Sequence, residues 1–225
     1  MNKKSVSTQK QYKNKILIVD DHPIVRKGLS QLINQEQDLF VLGETEDAPS
    51  ALEFLKKNKP DLAIVDISLK GIDGIELIKK IKERYSDIPI LVISMHDESL
   101  FAERALRAGA KGYIMKQEAI EKMMEAIRKV INGELYISER VSANIVKKFI
   151  DGKQLIKGSP IEILSDRELE VVNLIGQGYK TRQIAGILNV STKTVESYRS
   201  KIKEKLNLKN APELLKHAIH WVENK

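Results

Sequence analysis

Five side chains suited to handling a phosphoryl group each stand where a short apolar run stops. Asp20 and Asp21 close the run Lys15–Asp21, and Asp66 follows Leu62–Val65. Ser94 follows Ile90–Ile93, and Lys116 follows Tyr113–Met115. Carboxylates sharing one site repel each other, and at least one pKa is pushed up. A hard cation such as Mg²⁺ relieves that conflict, because it accepts one or two carboxylates together with phosphate oxygens and keeps several waters. Asp66, alone at its strand end, is the candidate phospho-acceptor, whereas the adjacent Asp20–Asp21 pair suits metal binding. The Lys116 ammonium would neutralise charge that develops on the phosphoryl oxygens. The Ser94 hydroxyl could donate to one of them.

The elements needed to gather these groups are legible in the same stretch. Strand-like runs at Lys15–Val19, Phe40–Glu44, Leu62–Val65, Ile90–Ile93 and Gly112–Met115 are short and apolar. Helical patterns separate them at Ile24–Gln35, Ala48–Asn58, Gly74–Tyr85 and Ser99–Ala108, and Ala119–Ile131 follows the last. Five such βα units predict an α/β doubly wound, five-stranded parallel sheet. Ligands bind such sheets at the carboxyl ends of the strands. The second run is the least apolar and is placed at an edge. Asp21 is open to a blander reading as a cap of the first helix, and His22 reads as a first-turn helix residue with no second histidine beside it.

Composition narrows the class. The 225 residues are 42% hydrophobic and 31% charged, with a net charge of +7 and no cysteine. Disulfides, thiolate chemistry and cysteine-zinc sites are therefore excluded. No apolar stretch approaches the roughly 18 residues of a membrane span, and the polar, basic start is no secretory signal. A cytoplasmic protein without a membrane partner is expected. Residues 1–13 read as a disordered tail, 14–131 as the α/β domain, 132–160 as a linker and 161–225 as a small all-α domain. The linker carries a short helix at Ser138–Ile150 and the turn-rich stretches Asp151–Gln154 and Lys157–Pro160.

The acidic set, together with Gly71–Gly74 and Gly112–Lys116, resembles the receiver domain of bacterial two-component response regulators. The resemblance covers the whole first domain. It implies Asp20, Asp21 and Asp66 as ligands of Mg²⁺, with the main-chain carbonyl of Ser68 completing the protein's share. It further implies Asp66 as the acceptor of a phosphoryl group from a sensor histidine kinase, Ser94 as the switch hydroxyl, Tyr113 as the aromatic that rotates inward, and Lys116 as the partner amine. Lys70 and Gln117 stand where that family often has proline. Ser68 and His96 flank the expected path of the hydrolytic water.

After the linker the pattern is entirely helical. Ser165–Glu168 forms a capping box ahead of the stripe Leu169, Val172, Leu174 and Ile175. A second helix at Thr181–Leu188 breaks at Asn189–Val190, a third runs from Thr192 to about Leu206 capped by Ser191, and a fourth follows Pro212. Two short helices joined tightly, the second longer and basic, predict a helix-turn-helix. Residues 179–209 hold eight Lys or Arg against two Glu. On a helical wheel Val195, Tyr198, Ile202 and Leu206 share the core face. Lys193, Glu196, Ser197, Ser200, Lys201 and Glu204 share the outer one, where they could reach phosphates or base edges. A dimerisation module with a solvated basic face is the alternative, but an adhesive face would be apolar.

Leu164–Val172, Gly178–Ala185 and Val190–Ile202 are similar to the LuxR-type helix-turn-helix, so the whole chain resembles the NarL/FixJ group of response regulators. This implies double-stranded DNA as a partner, read at promoter half-sites, and a homodimer on activation. Lys180, Thr181, Lys193, Glu196, Ser197, Ser200 and Lys201 are the expected DNA contacts. Lys180 stands at the usual capping serine, which leaves Thr181 as the expected cap of the second helix, and Tyr198 replaces a common histidine. A Mg²⁺-dependent phosphohydrolase on the same sheet is disfavoured, because Ser68 stands where a second acid would be needed for rapid turnover. A scaffold receiver is disfavoured by the intact acidic set, and a nicotinamide enzyme by the lack of a glycine-rich loop after the first strand.

Overall fold

A computed structural model describes residues 13–69, 73–150, 163–188 and 190–223. Lys70, Gly71, Ile72, Asn189 and both turn-rich linker stretches lie outside the described residues, as does nearly all of the amino-terminal tail. The chain divides into two compact units, Met1–Ser142 and Ala143–Lys225.

In the first unit, β1 (Asn14–Val19), β2 (Leu39–Thr45), β3 (Leu62–Val65), β4 (Ile90–Ser94) and β5 (Gly112–Met115) form one sheet. Every pairing is parallel, in the order β2-β1-β3-β4-β5. The second strand is at an edge, as its weak apolarity predicted, and alternates buried with open positions. The central strands β3 and β4 are buried at every position, which is why their sequences are unbroken apolar runs. Helices α1 (Pro23–Gln35), α2 (Ala48–Lys57), α3 (Gly74–Arg84), α4 (Glu98–Ala108) and α5 (Ile120–Ile131) are the crossovers. Ile33, Ile127 and Val130 pack with Ile16, Ile64 and Leu91 into one core.

Two start signals decide how the helices meet the site. Pro23 is the first residue of α1, and His22 before it is extended at φ −93, ψ 107. A residue preceding proline is pushed out of the helical region, while proline itself fits the first helical position. His22 is thus the N-cap rather than a residue of the first turn, which corrects the sequence reading. Asp21 does not cap α1, since no side chain does. At α3, Asp73 caps through Glu76 N–H, and a Cβ on Gly74 would collide with the Asp66 carbonyl. Only glycine lets α3 begin this close to the end of β3.

The stretch after α5 returns to the sheet. Tyr113 N–H donates to Tyr136 O at 2.8 Å, Tyr136 N–H donates to Lys111 O at 3.0 Å, and Tyr136 bridges Gly112 in parallel sense. Ser138 then donates to Glu98 at 2.6 Å and accepts from Val141 N–H, which opens α6 (Glu139–Ile150).

The second unit contains α7 (Asp166–Gly176), α8 (Thr181–Ile187), α9 (Thr192–Lys205) and α10 (Ala211–Glu223). The capping box forms as predicted, with Ser165 Oγ accepting from Glu168 N–H and Glu168 accepting from Ser165 N–H. Ser191 caps α9 through Thr194 N–H at 3.0 Å. Leu164, Val172, Ile175, Ile184, Val195, Ile202, Leu214 and Ala218 make the core. A Cβ on Gly176 would strike the Ala218 carbonyl, so α7 and α10 approach to backbone distance there.

Candidate functional site

The sheet ladder delivers the acidic groups to one place. Asp20 N–H donates to Thr45 O, Asp66 N–H to Val19 O, and Lys116 N–H to Ser94 O. Each of these three residues is thereby tied by its own backbone to the end of a neighbouring strand. Asp20, Asp66 and Ser94 are buried, at 2%, 2% and 0% exposure.

Lys116 Nζ lies 2.6 Å from Asp20 Oδ2 and 2.7 Å from Asp66 Oδ2. One ammonium thus clamps two carboxylates that would otherwise repel. Asp66 Oδ1 is buried and accepts no hydrogen bond among the described residues. Burial pushes the Asp66 carboxyl above its ordinary range, Lys116 pulls it back in part, and the Asp20 charge adds to the rise. Burial alone would lower the Lys116 pKa, but Asp66 and Asp20 outweigh it and the ammonium is held charged.

Asp20, Asp21, His22 and Asp66 each offer one donor atom, all within 4.8 Å of one another. Three carboxylates against the Lys116 ammonium and the Arg26 guanidinium, which donates to the Asp20 carbonyl, still leave negative charge uncompensated, and a buried acceptor without a partner is costly. The donor set therefore fits a divalent cation. The sequence reading set His22 aside as a first-turn helix residue, yet the structure brings it to the carboxylates. Its Nδ1 is 2.7 Å from Asp21 Oδ1 and 3.2 Å from Asp20 Oδ1. The His22–Pro23 pair was the signal, because proline at the first helical position turns the preceding side chain out of the helix.

The rim is cross-linked. Ser94 Oγ accepts from His96 N–H at 3.2 Å, and Tyr113 donates its hydroxyl proton to His96 O at 2.9 Å. The His96 ring is 2.5 Å from Ser68 Oγ and packs on Phe101. Tyr113 is 1% exposed, so its ring is turned inward, and burial raises its phenol well above the usual range.

On the helical unit, Val195 and Ile202 are buried, while Lys193, Glu196, Ser197, Ser200 and Lys201 are exposed along α9. The wheel separated these two faces correctly. Lys180 is exposed and is itself the N-cap of α8, its N–H donating to the Gln183 side chain at 2.9 Å. Thr181 does not cap, contrary to expectation. Its hydroxyl donates to Glu196 at 2.8 Å and accepts from Arg199 at 3.4 Å. The reason is positional: Thr181 sits one residue inside the helix, where its hydroxyl faces α9 instead of the free N–H groups.

Comparison with known proteins gives these geometries a context. Residues 16–128 match the response regulator receiver domain, and residues 162–218 match the bacterial regulatory proteins of the luxR family. The oxygen regulatory protein NreC of Staphylococcus epidermidis is 38% identical over 210 residues, 91% of this chain and 96% of that protein. NreC of Staphylococcus carnosus is equally similar over 209 residues. RcsB of Salmonella enterica serovar Typhimurium, solved on promoter rprA with the phosphomimetic BeF3-, is 30% identical and aligns over 92% of this chain and 98% of that one, TM-score 0.58. RcsB has also been solved as two dimers bound to two parallel DNAs, TM-score 0.55, 30% identity, over 91% of this chain and 97% of that one. Among the described residues no helix is long and apolar enough to cross a membrane. This chain belongs to the NarL/FixJ-type two-component response regulators, DNA-binding proteins that pair a receiver with a LuxR-type helix-turn-helix and are not turnover enzymes.

Proposed function

We propose that Asp66 accepts a phosphoryl group from a sensor histidine kinase in a Mg²⁺-dependent reaction, and that this promotes dimerisation and promoter binding. The observation that carries the reading is the state of the two Asp66 oxygens. Oδ2 is held by Lys116, while Oδ1 is buried without a hydrogen-bond partner among the described residues. That oxygen forms the new P–O bond as the P–N bond of the kinase phosphohistidine breaks, and the electron pair leaves on the imidazole. Asp20, Asp21 and Asp66, with the Ser68 carbonyl, would hold Mg²⁺, which when bound neutralises charge on the phosphoryl oxygens. Lys116 supplies a second positive charge, and Ser94 a hydroxyl. Tyr113 follows Ser94 as the switch, since both report to the main chain of His96.

On the DNA side, Lys180, Lys193, Ser197, Ser200 and Lys201 are the groups left open for phosphates and base edges. Thr181 and Glu196 hold each other and would have to part before either met DNA. Two-fold pairing on half-sites raises the effective concentration of a small module that buries little surface alone. A soluble, cytoplasmic regulator follows from this reading.

The test is phosphorylation of the full chain with acetyl phosphate and Mg²⁺, read by intact-protein mass spectrometry, sedimentation and DNA titration. The wild type should gain one phosphoryl group, shift toward dimer and bind its operator more tightly. Asp66→Asn should do none of these. Equal labelling of Asp66→Asn would move the acceptor elsewhere.

A further inference from the structure

The three carboxylates at the receiver site are hard oxygen donors, yet a nitrogen sits among them. His22 Nδ1 is 2.7 Å from Asp21 Oδ1 and 3.2 Å from Asp20 Oδ1. Neighbouring ligands around a six-coordinate ion with bonds of about 2.1 Å are separated by about 3 Å. The imidazole is thus spaced from both carboxylates as a ligand would be, and its donor atom lies within the same 4.8 Å group as that of Asp66. A second observation fits a cation here: Asp66 is 2% exposed and its Oδ1 has no hydrogen-bond partner among the described residues. The backbone fixes this arrangement, because Pro23 holds His22 extended at the N-cap. The His22 side chain is 58% exposed, so its ring has room to complete a coordination sphere.

We infer that His22 joins Asp20, Asp21, Asp66 and the Ser68 carbonyl as a fifth protein ligand of this site and tilts it toward divalent transition ions such as Co²⁺ and Ni²⁺ relative to Mg²⁺. This rests on the proposed metal role of Asp20, Asp21 and Asp66. Magnesium takes oxygen ligands and dehydrates reluctantly, whereas imidazole suits transition ions and raises affinity along their usual order. The same acidic triad with an imidazole would therefore respond to transition-ion supply as well as to Mg²⁺.

Calorimetric titration of the full chain with MgCl₂ and with CoCl₂ tests it, using the wild type, His22→Ala and Asp21→Ala. His22→Ala should lose about tenfold or more in Co²⁺ affinity and less than about threefold in Mg²⁺ affinity. Pulsed electron paramagnetic resonance of the Mn²⁺-loaded wild type should show nitrogen coupling that His22→Ala abolishes. An unchanged Co²⁺-to-Mg²⁺ ratio, or coupling that persists in His22→Ala, would overturn the inference and leave an all-oxygen site in which His22 only hydrogen-bonds the carboxylates. A Mg²⁺ affinity untouched by Asp21→Ala would instead overturn the metal reading itself, and this inference with it.

Discussion

Replacing Lys116 with methionine keeps the volume of the side chain and removes its charge. The Lys116 side chain is 8% exposed, and those of Asp20 and Asp66 are 3% and 2%. Each ion pair is worth about 6 kcal/mol of gross attraction at an effective dielectric near 20, but burying the ammonium cancels much of that. What the substitution exposes is the second cost, two buried carboxylates left without a cation. Breaking buried pairs in this way costs about 3–5 kcal/mol. For a unit of this size, at roughly 3 °C per kcal/mol, the melting temperature without metal should fall by about 10–15 °C.

Two conditions should shrink the deficit. Mg²⁺ replaces the lost charge, and saturation at about a hundred times its Kd adds about 2.7 kcal/mol to any state that binds it. Acid also helps, and the sign follows from Asp66. Its folded pKa is raised above the ordinary 3.8, so the folded state holds the extra proton. That contribution is full below the unfolded pKa and is lost as pH rises through the folded one. Differential scanning calorimetry of wild type and Lys116→Met, at pH 5 and pH 7.5 and with EDTA or Mg²⁺, would measure all four conditions. A metal-free deficit below about 1 kcal/mol at pH 7.5, or one indifferent to Mg²⁺, would refute the idea that Lys116 stands in for a cation.

Glu168→Ala removes a buried carboxylate that closes the α7 capping box and meets Lys205 at 2.6 Å; a cost of about 1–3 kcal/mol is expected, visible as faster amide exchange at the start of α7. Arg128 grips Asp38 at 2.8 and 2.9 Å and holds its carboxyl below the usual range. That stability is present above the unfolded Asp38 pKa and lost as pH falls through the folded one, so Arg128→Leu should flatten the acid limb of a pH-melting profile. Both groups are half-exposed, and the change should stay within about 1 kcal/mol. Lys201→Ala should lower the salt slope of DNA binding by about 1 if Lys201 meets a phosphate, or relax sequence preference at about 1–3 kcal/mol if it meets a base. A DNA titration indistinguishable from wild type would remove Lys201 from the interface.

Features encoded in contiguous residues were the legible ones. Leu62–Val65 and Gly112–Met115 are strands with the predicted bounds, because a strand buried on both faces must be an unbroken apolar run. The capping box Ser165–Glu168 and the core face of α9 are equally local. Contacts across the fold were not legible. Thr181 and Glu196 are fifteen positions apart, and nothing in either segment announces that the hydroxyl would choose a carboxylate on the next helix over its own N–H groups. His22 was misplaced for a different reason: helical periodicity carries no information about the residue just outside a helix, whereas the backbone preference imposed by Pro23 does. Arg128, ninety positions from Asp38, is invisible to any window.

The return of Tyr136 to the sheet has a consequence for how this protein can be cut. A strand at the end of a sheet offers unpaired N–H and C=O groups on which another chain can grow. Here the Tyr113 N–H and the Lys111 carbonyl are already taken by Tyr136. A fragment ending at Ile131 would keep all five strands and five helices yet strip that cover, baring an apolar margin that contains Tyr113 itself. Such a fragment should self-associate, and one ending at Ser142 should not. Residues that read as the beginning of a tether thus serve as the hem of the sheet, and a pull on them is felt first at Tyr113.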